Sequence, residues 1–276
     1  MTNDTNKALA FIGAGNMATS LFGGLIKQGF DPQKLRVSDP DQNQRDKAAT
    51  LGVQTFTENS TCLKDAKFVL LCVKPQVFKE VCSALEPSED QVIISIAAGI
   101  TISNLEAWSP TRQPIIRCMP NTPALIQQGI TALYANNHTT DKQKRDAEQI
   151  LMAIGQTLWV DEESKIDIVT ALSGSGPAYF FYLIEQMIEA GKELGISEED
   201  ATKLALQTAL GSAMLASAEG QDQPSVLRKK VTSPGGTTHS AIETFKNHKL
   251  DQIVKLGIEN ACNRSAELSR DFGEPT

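Results

Sequence analysis

Lys7-Ala-Leu-Ala-Phe-Ile-Gly-Ala-Gly-Asn-Met-Ala18 decides the fold. Residues 8–12 form a short apolar run that reads as a buried strand. Gly13-Ala14-Gly15 follows at once, and Ala18 stands where the third glycine of G-x-G-x-x-G falls. Met17, Leu21 and Leu25 then recur at helical spacing. Each piece has a physical task. Gly13 permits the tight turn, Gly15 lets a pyrophosphate approach the backbone, and a small residue at 18 lets helix and strand pack closely. The N–H groups at the helix start, with the helix dipole, then face the phosphates. Strand before and helix after is the context that separates a dinucleotide fingerprint from a glycine-rich surface turn.

The pattern continues outward from that turn. Residues 34–38 read as a second strand, whose end meets the adenosine ribose in such a domain. Asp39 follows it, about 20 residues beyond the glycines, at the place of a ribose-binding carboxylate. Asp39-Pro40-Asp41 also makes a good helix entry, and both roles can hold together. A helix is expected over 41–51, ended by Gly52, then a strand over 53–56. Asn59 opens a short helix, either as its cap or as a contact on the adenine side. Residues 67–73 form an apolar strand stopped by Lys74-Pro75-Gln76, and residues just past such a strand line the ligand crevice. Residues 91–97 repeat the arrangement and end in Ala97-Ala98-Gly99, small enough for a flat ring or simply a tight turn. Residues 114–119 form the next strand. Pro120 and Pro123 stiffen a loop in which Asn121 is placed to hold an amide at the nicotinamide end. A strand over 129–135, a helix over 141–154 and a strand over 156–160 complete an open, mostly parallel sheet.

Strand signals stop near Asp161, and from residue 164 the pattern is helical almost to the end. The change predicts an N-terminal doubly wound Rossmann domain over 1–162 and an all-α domain over 163–276. Ser173-Gly-Ser-Gly-Pro177 interrupts the helices, with Pro177 suited to a first turn. Residues 178–195 are apolar around much of their circumference, and 201–218 are rich in Ala and Gly. Helices of that kind have to be buried, which this short domain cannot do alone, so an oligomer is expected. Val231-Thr-Ser-Pro-Gly-Gly-Thr-Thr238 leads into a further helix. Its N–H groups can form an anion nest, or the loop can be an ordinary N-capped turn. His239 beside it is either a general acid or a plain surface histidine.

Composition narrows the function classes. The chain has 276 residues, is 41% hydrophobic and 21% charged, and carries a net charge of −7. That balance argues against a broad nucleic-acid footprint, while Arg228-Lys229-Lys230 reads first as a solvated helix face and second as a local phosphate contact. The five cysteines (62, 72, 82, 118 and 262) are scattered and form no C-x-x-C, so neither a disulfide framework nor a metal site is expected. The polar residues 1–6 suggest no signal peptide, and apolar runs such as 68–73 are too short to span a membrane. A reducing, cytoplasmic setting is the resulting expectation.

Five stretches, in order and spacing, resemble pyrroline-5-carboxylate reductase: Phe11-Ile-Gly-Ala-Gly-Asn-Met17, Val73-Lys-Pro-Gln76, Arg117-Cys-Met-Pro-Asn-Thr-Pro123, Leu172-Ser-Gly-Ser-Gly-Pro-Ala-Tyr179 and Val231-Thr-Ser-Pro-Gly-Gly-Thr-Thr238. The resemblance runs nearly the whole length. It implies a Rossmann domain followed by a helical dimerisation domain, dimers that assemble further into decamers, and reduction of the cyclic imine of 1-pyrroline-5-carboxylate to L-proline with NADPH or NADH. It carries cofactor contacts onto Ile12, Gly13, Ala14, Gly15, Asn16 and Met17, onto Asn59, onto Cys72, Val73, Lys74 and Pro75, and onto Ile96, Ala97 and Ala98. Asp39 takes the ribose or its phosphate, with Ser38 as the alternative contact. Substrate contacts fall on Glu163 and on Ser233, Gly235, Gly236, Thr237 and Thr238. In that scheme the 233–238 nest holds the carboxylate, the Thr238 hydroxyl meets the ring nitrogen, and Glu163 favours the iminium charge. Asp39 departs from the neutral or basic residue of many relatives. His239 has no place in the motif and is set aside as the acid. A 3-hydroxyacid dehydrogenase shares the layout but requires a lysine base whose motif is missing here. A dinucleotide-sensing regulator without turnover is the non-enzymatic alternative.

Overall fold

The structure, a computed structural model, describes residues 8–109, 112–218, 220 and 222–272. The polar residues 1–6 and Lys7 lie outside that range. Eight strands form one sheet: β1 Ala8–Ile12, β2 Leu35–Ser38, β3 Gln54–Phe56, β4 Ala66–Leu71, β5 Val92–Ser95, β6 Ile115–Met119, β7 Gly129–Ala135 and β8 Gly155–Trp159. Their order is β3-β2-β1-β4-β5-β6-β7-β8. All neighbours run parallel except β6 and β7. The loop between those two holds only one short 3₁₀ turn, Thr122–Ile126, too little chain for a parallel crossover. The sheet is therefore mostly parallel, with β7 reversing the direction for itself and β8.

Six helices connect the strands: α1 Asn16–Lys27, α2 Gln42–Ala49, α3 Asn59–Leu63, α4 Phe78–Ala84, α5 Ile102–Trp108 and α6 Asp141–Leu151. Side chains alternate between the two faces of the sheet, as a pleat requires. Leu9 and Phe11 of β1, with Phe68 and Leu70 of β4, join the core under α1 and α6. Ala10 and Ile12, with Val69 and Leu71, join the opposite core with residues of α3, α4 and α5. Near-continuous apolar strands are what burial on both faces demands. Thr101 and Asn104 make a reciprocal capping box that starts α5.

The remaining helices are α7 Lys165–Val169, α8 Gly176–Glu193, α9 Glu198–Ser217, α10 Pro224–Lys230, α11 Thr237–Asn247 and α12 Leu250–Asp271. The interruption expected at 173–177 is a π-helical turn, Thr170–Gly174, in which Ser175 N donates to Thr170 O at 2.8 Å. Two compact units result: residues 1–175 with 261–276, and residues 176–260. The change from strands to helices falls near 162, as the pattern implies, but compactness divides elsewhere. α7 stays with the sheet because Asp167 within it and Glu163 just before it pair with Arg117 of β6, and α12 returns the chain to the first unit. In the second unit α8 and α9 pack closely, with Gly191 facing Ala201. Phe180, Phe181 and Tyr182 of α8 are each about two-thirds exposed in a single chain, at 66%, 65% and 65%.

Candidate functional site

Strand register brings the expected cofactor residues to one edge. Ile12 pairs with Ser38 and with Leu71, and Leu71 pairs with Ser95. The segments 13–17, 38–39, 72–75 and 96–98 therefore leave the sheet side by side, at the carboxyl ends of β1, β2, β4 and β5. The chain reverses its winding between β1 and β4, which is where open α/β sheets take ligands. Asn121 follows β6 at the same edge.

The turn after β1 is built for close approach. Gly13 has φ +99°, and a Cβ there would stand 2.9 Å from Cys72 O. Gly13 N donates to Ser38 O, and Cys72 N donates to Ile12 O, both at 2.8 Å. A Cβ on Gly15 would meet nothing within 4 Å, so the space above it is open. Gly15 is also the N-cap of α1 and offers no side chain to the first-turn amides. Open space over unscreened N–H groups fits a pyrophosphate. The residues present thus suit a dinucleotide.

Asp39 takes the helix-entry role that the sequence offers. Its Oδ2 accepts from Ala14 N at 2.8 Å and its Oδ1 from Asp41 N at 2.9 Å. The carboxylate thus joins the glycine turn to the entry of α2. Asn59 is not a cap; Glu58 holds that position. Instead Asn59 Oδ1 accepts from Ser38 Oγ at 2.7 Å, which fixes the floor beside Asp39. Arg36 lies over the Phe56 ring at 4.4 Å and donates to Cys62 O, Thr61 O and Gln54 Oε1, so its guanidinium is committed. Asn121 Oδ1 accepts from Ile130 N at 3.0 Å, which pins the proline-flanked loop to β7. Burial pushes the Cys72 thiol far up from its ordinary value, so it stays protonated and adds no charge to the crevice.

Glu163 is not an isolated negative charge. Its Oε1 accepts from Arg117 Nη1 and from Ile102 N, both at 2.8 Å. Arg117, on β6, is 2% exposed, and its Nη2 lies 3.8 Å from Asp167 Oδ1. Asp167 in turn accepts from Ser265 Oγ at 2.7 Å. Sequence reasoning missed this cluster, although a signal exists. An arginine inside the apolar run 115–119 has to find carboxylates, and Glu163 and Asp167 are spaced i, i+4.

The 233–238 loop belongs to the second unit. Gly235 has φ +72°, and Gly236 N donates to Ser233 O at 3.0 Å. Gly236 is the N-cap of α11 and leaves the helix start without a side-chain cap. Thr237 and Thr238 are therefore the first two helical residues. Thr238 is half-buried and is not the cap; Gly236 takes that position, as the reading of an ordinary N-capped turn allows. His239 is exposed.

A family model described as "Pyrroline-5-carboxylate reductase dimerisation" matches residues 163–268. A second, "NADP oxidoreductase coenzyme F420-dependent", matches residues 8–99. A pyrroline-5-carboxylate reductase of Pseudomonas aeruginosa is 48% identical, covering 96% of this chain and 98% of the relative. Among solved structures, the Coxiella burnetii pyrroline-5-carboxylate reductase superposes with a TM-score of 0.90 at 38% identity, over 96% of this chain and 99% of that one. The Plasmodium falciparum pyrroline carboxylate reductase, solved with NADP bound, gives 0.85 at 27% identity, over 96% and 98% of the two chains.

Proposed function

This chain belongs to the pyrroline-5-carboxylate reductase family, and we propose that it carries out the family reaction. It reduces 1-pyrroline-5-carboxylate, a cyclic imine, to L-proline with NAD(P)H, the last step of proline biosynthesis. Every relative named above is a reductase of this family, which leaves the 3-hydroxyacid dehydrogenase and sensor readings without support.

When bound, the reduced nicotinamide supplies the hydride. The first unit orients it: Ile12, Gly13, Ala14, Gly15, Asn16 and Met17 cradle the pyrophosphate. Ser38, Asp39 and Asn59 meet the adenosine side. Cys72, Val73, Lys74, Pro75, Ile96, Ala97, Ala98 and Asn121 border the nicotinamide side. In the second unit, the amides of 233–238 take the substrate carboxylate and the Thr238 hydroxyl meets the ring nitrogen. A protonated imine already accepts hydride well, so the protein's task is orientation. Glu163 is the further substrate contact, and its pairing with Arg117 tempers the charge it offers the iminium. The dimerisation region supports a homo-oligomer, which we extend to a decamer assembled from dimers. Five unpaired cysteines suit a reducing compartment, and we place the enzyme in the cytoplasm.

The observation that carries the substrate assignment is the uncapped start of α11 with Thr238 as its second residue. Thr238→Ala keeps the backbone amide and removes only the hydroxyl. A hydrogen bond to a charged group contributes about 1.5–3 kcal/mol. The expected loss in kcat/KM for the imine is therefore roughly 10- to 100-fold, with cofactor affinity and melting temperature near wild type. Wild-type kcat/KM in this variant would remove Thr238 from the active site.

A further inference from the structure

The segment leaving β5 is held by a closed circuit of contacts, all within the first unit. Ser95, the last residue of β5, is paired in register with Arg117 of β6. Ile96, Ala97 and Ala98 follow it. Gly99 then turns with φ +76°, and Ile102 opens α5. The Ile102 amide donates to Glu163 Oε1, which also accepts from Arg117 Nη1. Arg117 faces Asp167, and Asp167 binds Ser265 of α12. The last turn of α12 comes back to the loop, where a Cβ on Gly99 would stand 2.9 Å from the Phe272 ring and 3.3 Å from Leu268 Cβ. Loop, α7, β6 and α12 thus fix one another.

Arg117 is an expensive way to join these elements. It is 2% exposed, and its Nε and Nη2 make no hydrogen bond among the described residues. A buried ion pair is weak evidence for stability, since apolar side chains of similar volume commonly do as well. What the pair fixes is one acceptor oxygen, and that oxygen holds the first amide of α5, five residues beyond Ala97.

We propose that Arg117 is a positioning residue: it anchors Glu163 so that Oε1 fixes the Ile102 amide, and the frame thereby sets Ile96–Ala98 at the edge of the cofactor crevice. The proposal rests on the reading that this segment borders the cofactor. On this account Glu163 matters as a placed oxygen rather than as a charge at the imine. Glutamine keeps such an oxygen; alanine does not.

The test uses Glu163→Ala, Glu163→Gln and Arg117→Met in the full-length enzyme. Two readouts are free of turnover: amide hydrogen exchange over residues 96–102 without cofactor, and cofactor affinity by fluorescence without substrate. Glu163→Ala and Arg117→Met are expected to speed Ile102 exchange at least tenfold and to weaken NAD(P)H binding about tenfold. Glu163→Gln is expected to restore both to within about threefold of wild type, and to turn over the imine at least tenfold better than Glu163→Ala. If Arg117→Met does not fold, the comparison of the two Glu163 variants decides alone, because that side chain is 26% exposed. Unchanged Ile102 exchange in Glu163→Ala overturns the frame. Equal loss of imine turnover in the Gln and Ala variants assigns the effect to charge and overturns it as well. Faster exchange with unaltered cofactor affinity overturns the proposal through its premise. That premise has its own check: adding NAD(P)H to the wild-type enzyme should slow exchange at residues 96–98.

Discussion

Asp39→Ser is expected to weaken both reduced cofactors and, separately, to move preference toward NADPH. The two effects have different origins in the structure. The common loss comes from the turn, because Ala14 N and Asp41 N lose the carboxylate that accepts them at 2.8 and 2.9 Å. Charge-assisted bonds of this kind contribute about 1.5–3 kcal/mol, and water replaces part of that at a half-buried site. A common loss of about 1–2 kcal/mol, or roughly 5- to 30-fold, follows for either cofactor. The differential effect comes from charge. Two like charges about 5 Å apart repel by roughly 3 kcal/mol at an effective dielectric near 20, and salt reduces this for half-buried groups. Removing the carboxylate should therefore help a 2′-phosphate by about 1–2 kcal/mol, a shift of about tenfold in the ratio of kcat/KM for NADPH over NADH. Arg36 is bonded only to neutral acceptors, Cys62 O, Thr61 O and Gln54 Oε1, and Arg45 donates to Asp39 O, so both guanidiniums keep their charge and hold the shift toward the lower end of that range. The assay measures both cofactors on one preparation, at low and high salt. Both values falling with a constant ratio would show that Asp39 serves only the turn. A ratio change that survives high salt undiminished would refute the electrostatic argument.

Other outcomes follow from the same geometry. Gly13→Ala places a Cβ 2.9 Å from Cys72 O at φ +99° and should cost about 2–4 kcal/mol of stability, with cofactor binding lost; an unchanged melting temperature would show that the turn relaxes. Burial pushes the Cys62 thiol up to about 11 from 9.0, so the unfolded chain gives up that proton first, and stability should fall by about 2 kcal/mol as pH rises from 9 to 11. Cys82, pushed up to about 12, adds in the same direction. Urea unfolding across that range should be less steep in pH for Cys62→Ala, and equal slopes would acquit the thiol. The exposed α8 face, including Phe180 and Phe181, predicts an obligate dimer. Sedimentation should show no compact, active monomer, and Phe181→Glu should lower assembly and stability together.

Local patterns made much of this legible. Apolar runs between turn residues located the strands of the parallel sheet to within a few residues, because burial on both faces leaves continuous hydrophobic segments. Gly13, Gly15 and Ala18 announced the crevice because the turn itself demands them. Contacts distant in the chain were not legible. The antiparallel β7 depends on the brevity of its loop rather than on its own residues. Asn59 read either as a cap, because Asn is a good one, or as an adenine-side contact; the cap is excluded, and its partner is Ser38, 21 residues away. Glu163 reads as a substrate contact, but its bond to Arg117, 46 residues away, could not be read from the sequence. Thr238 shifts from a possible cap to a helical residue because Gly236 takes the cap position.

The division of the chain also sets a timetable for biosynthesis. The first compact unit is written in two instalments, residues 1–175 and 261–276, separated by the 85 residues of the second. At about 5–20 residues per second, a ribosome takes several seconds over that interval. During it the sheet and its glycine turn can form, but the seat on Gly99 waits for Leu268 and Phe272, and Asp167 waits for Ser265. The second unit, with its exposed aromatic face, is complete before the first is closed.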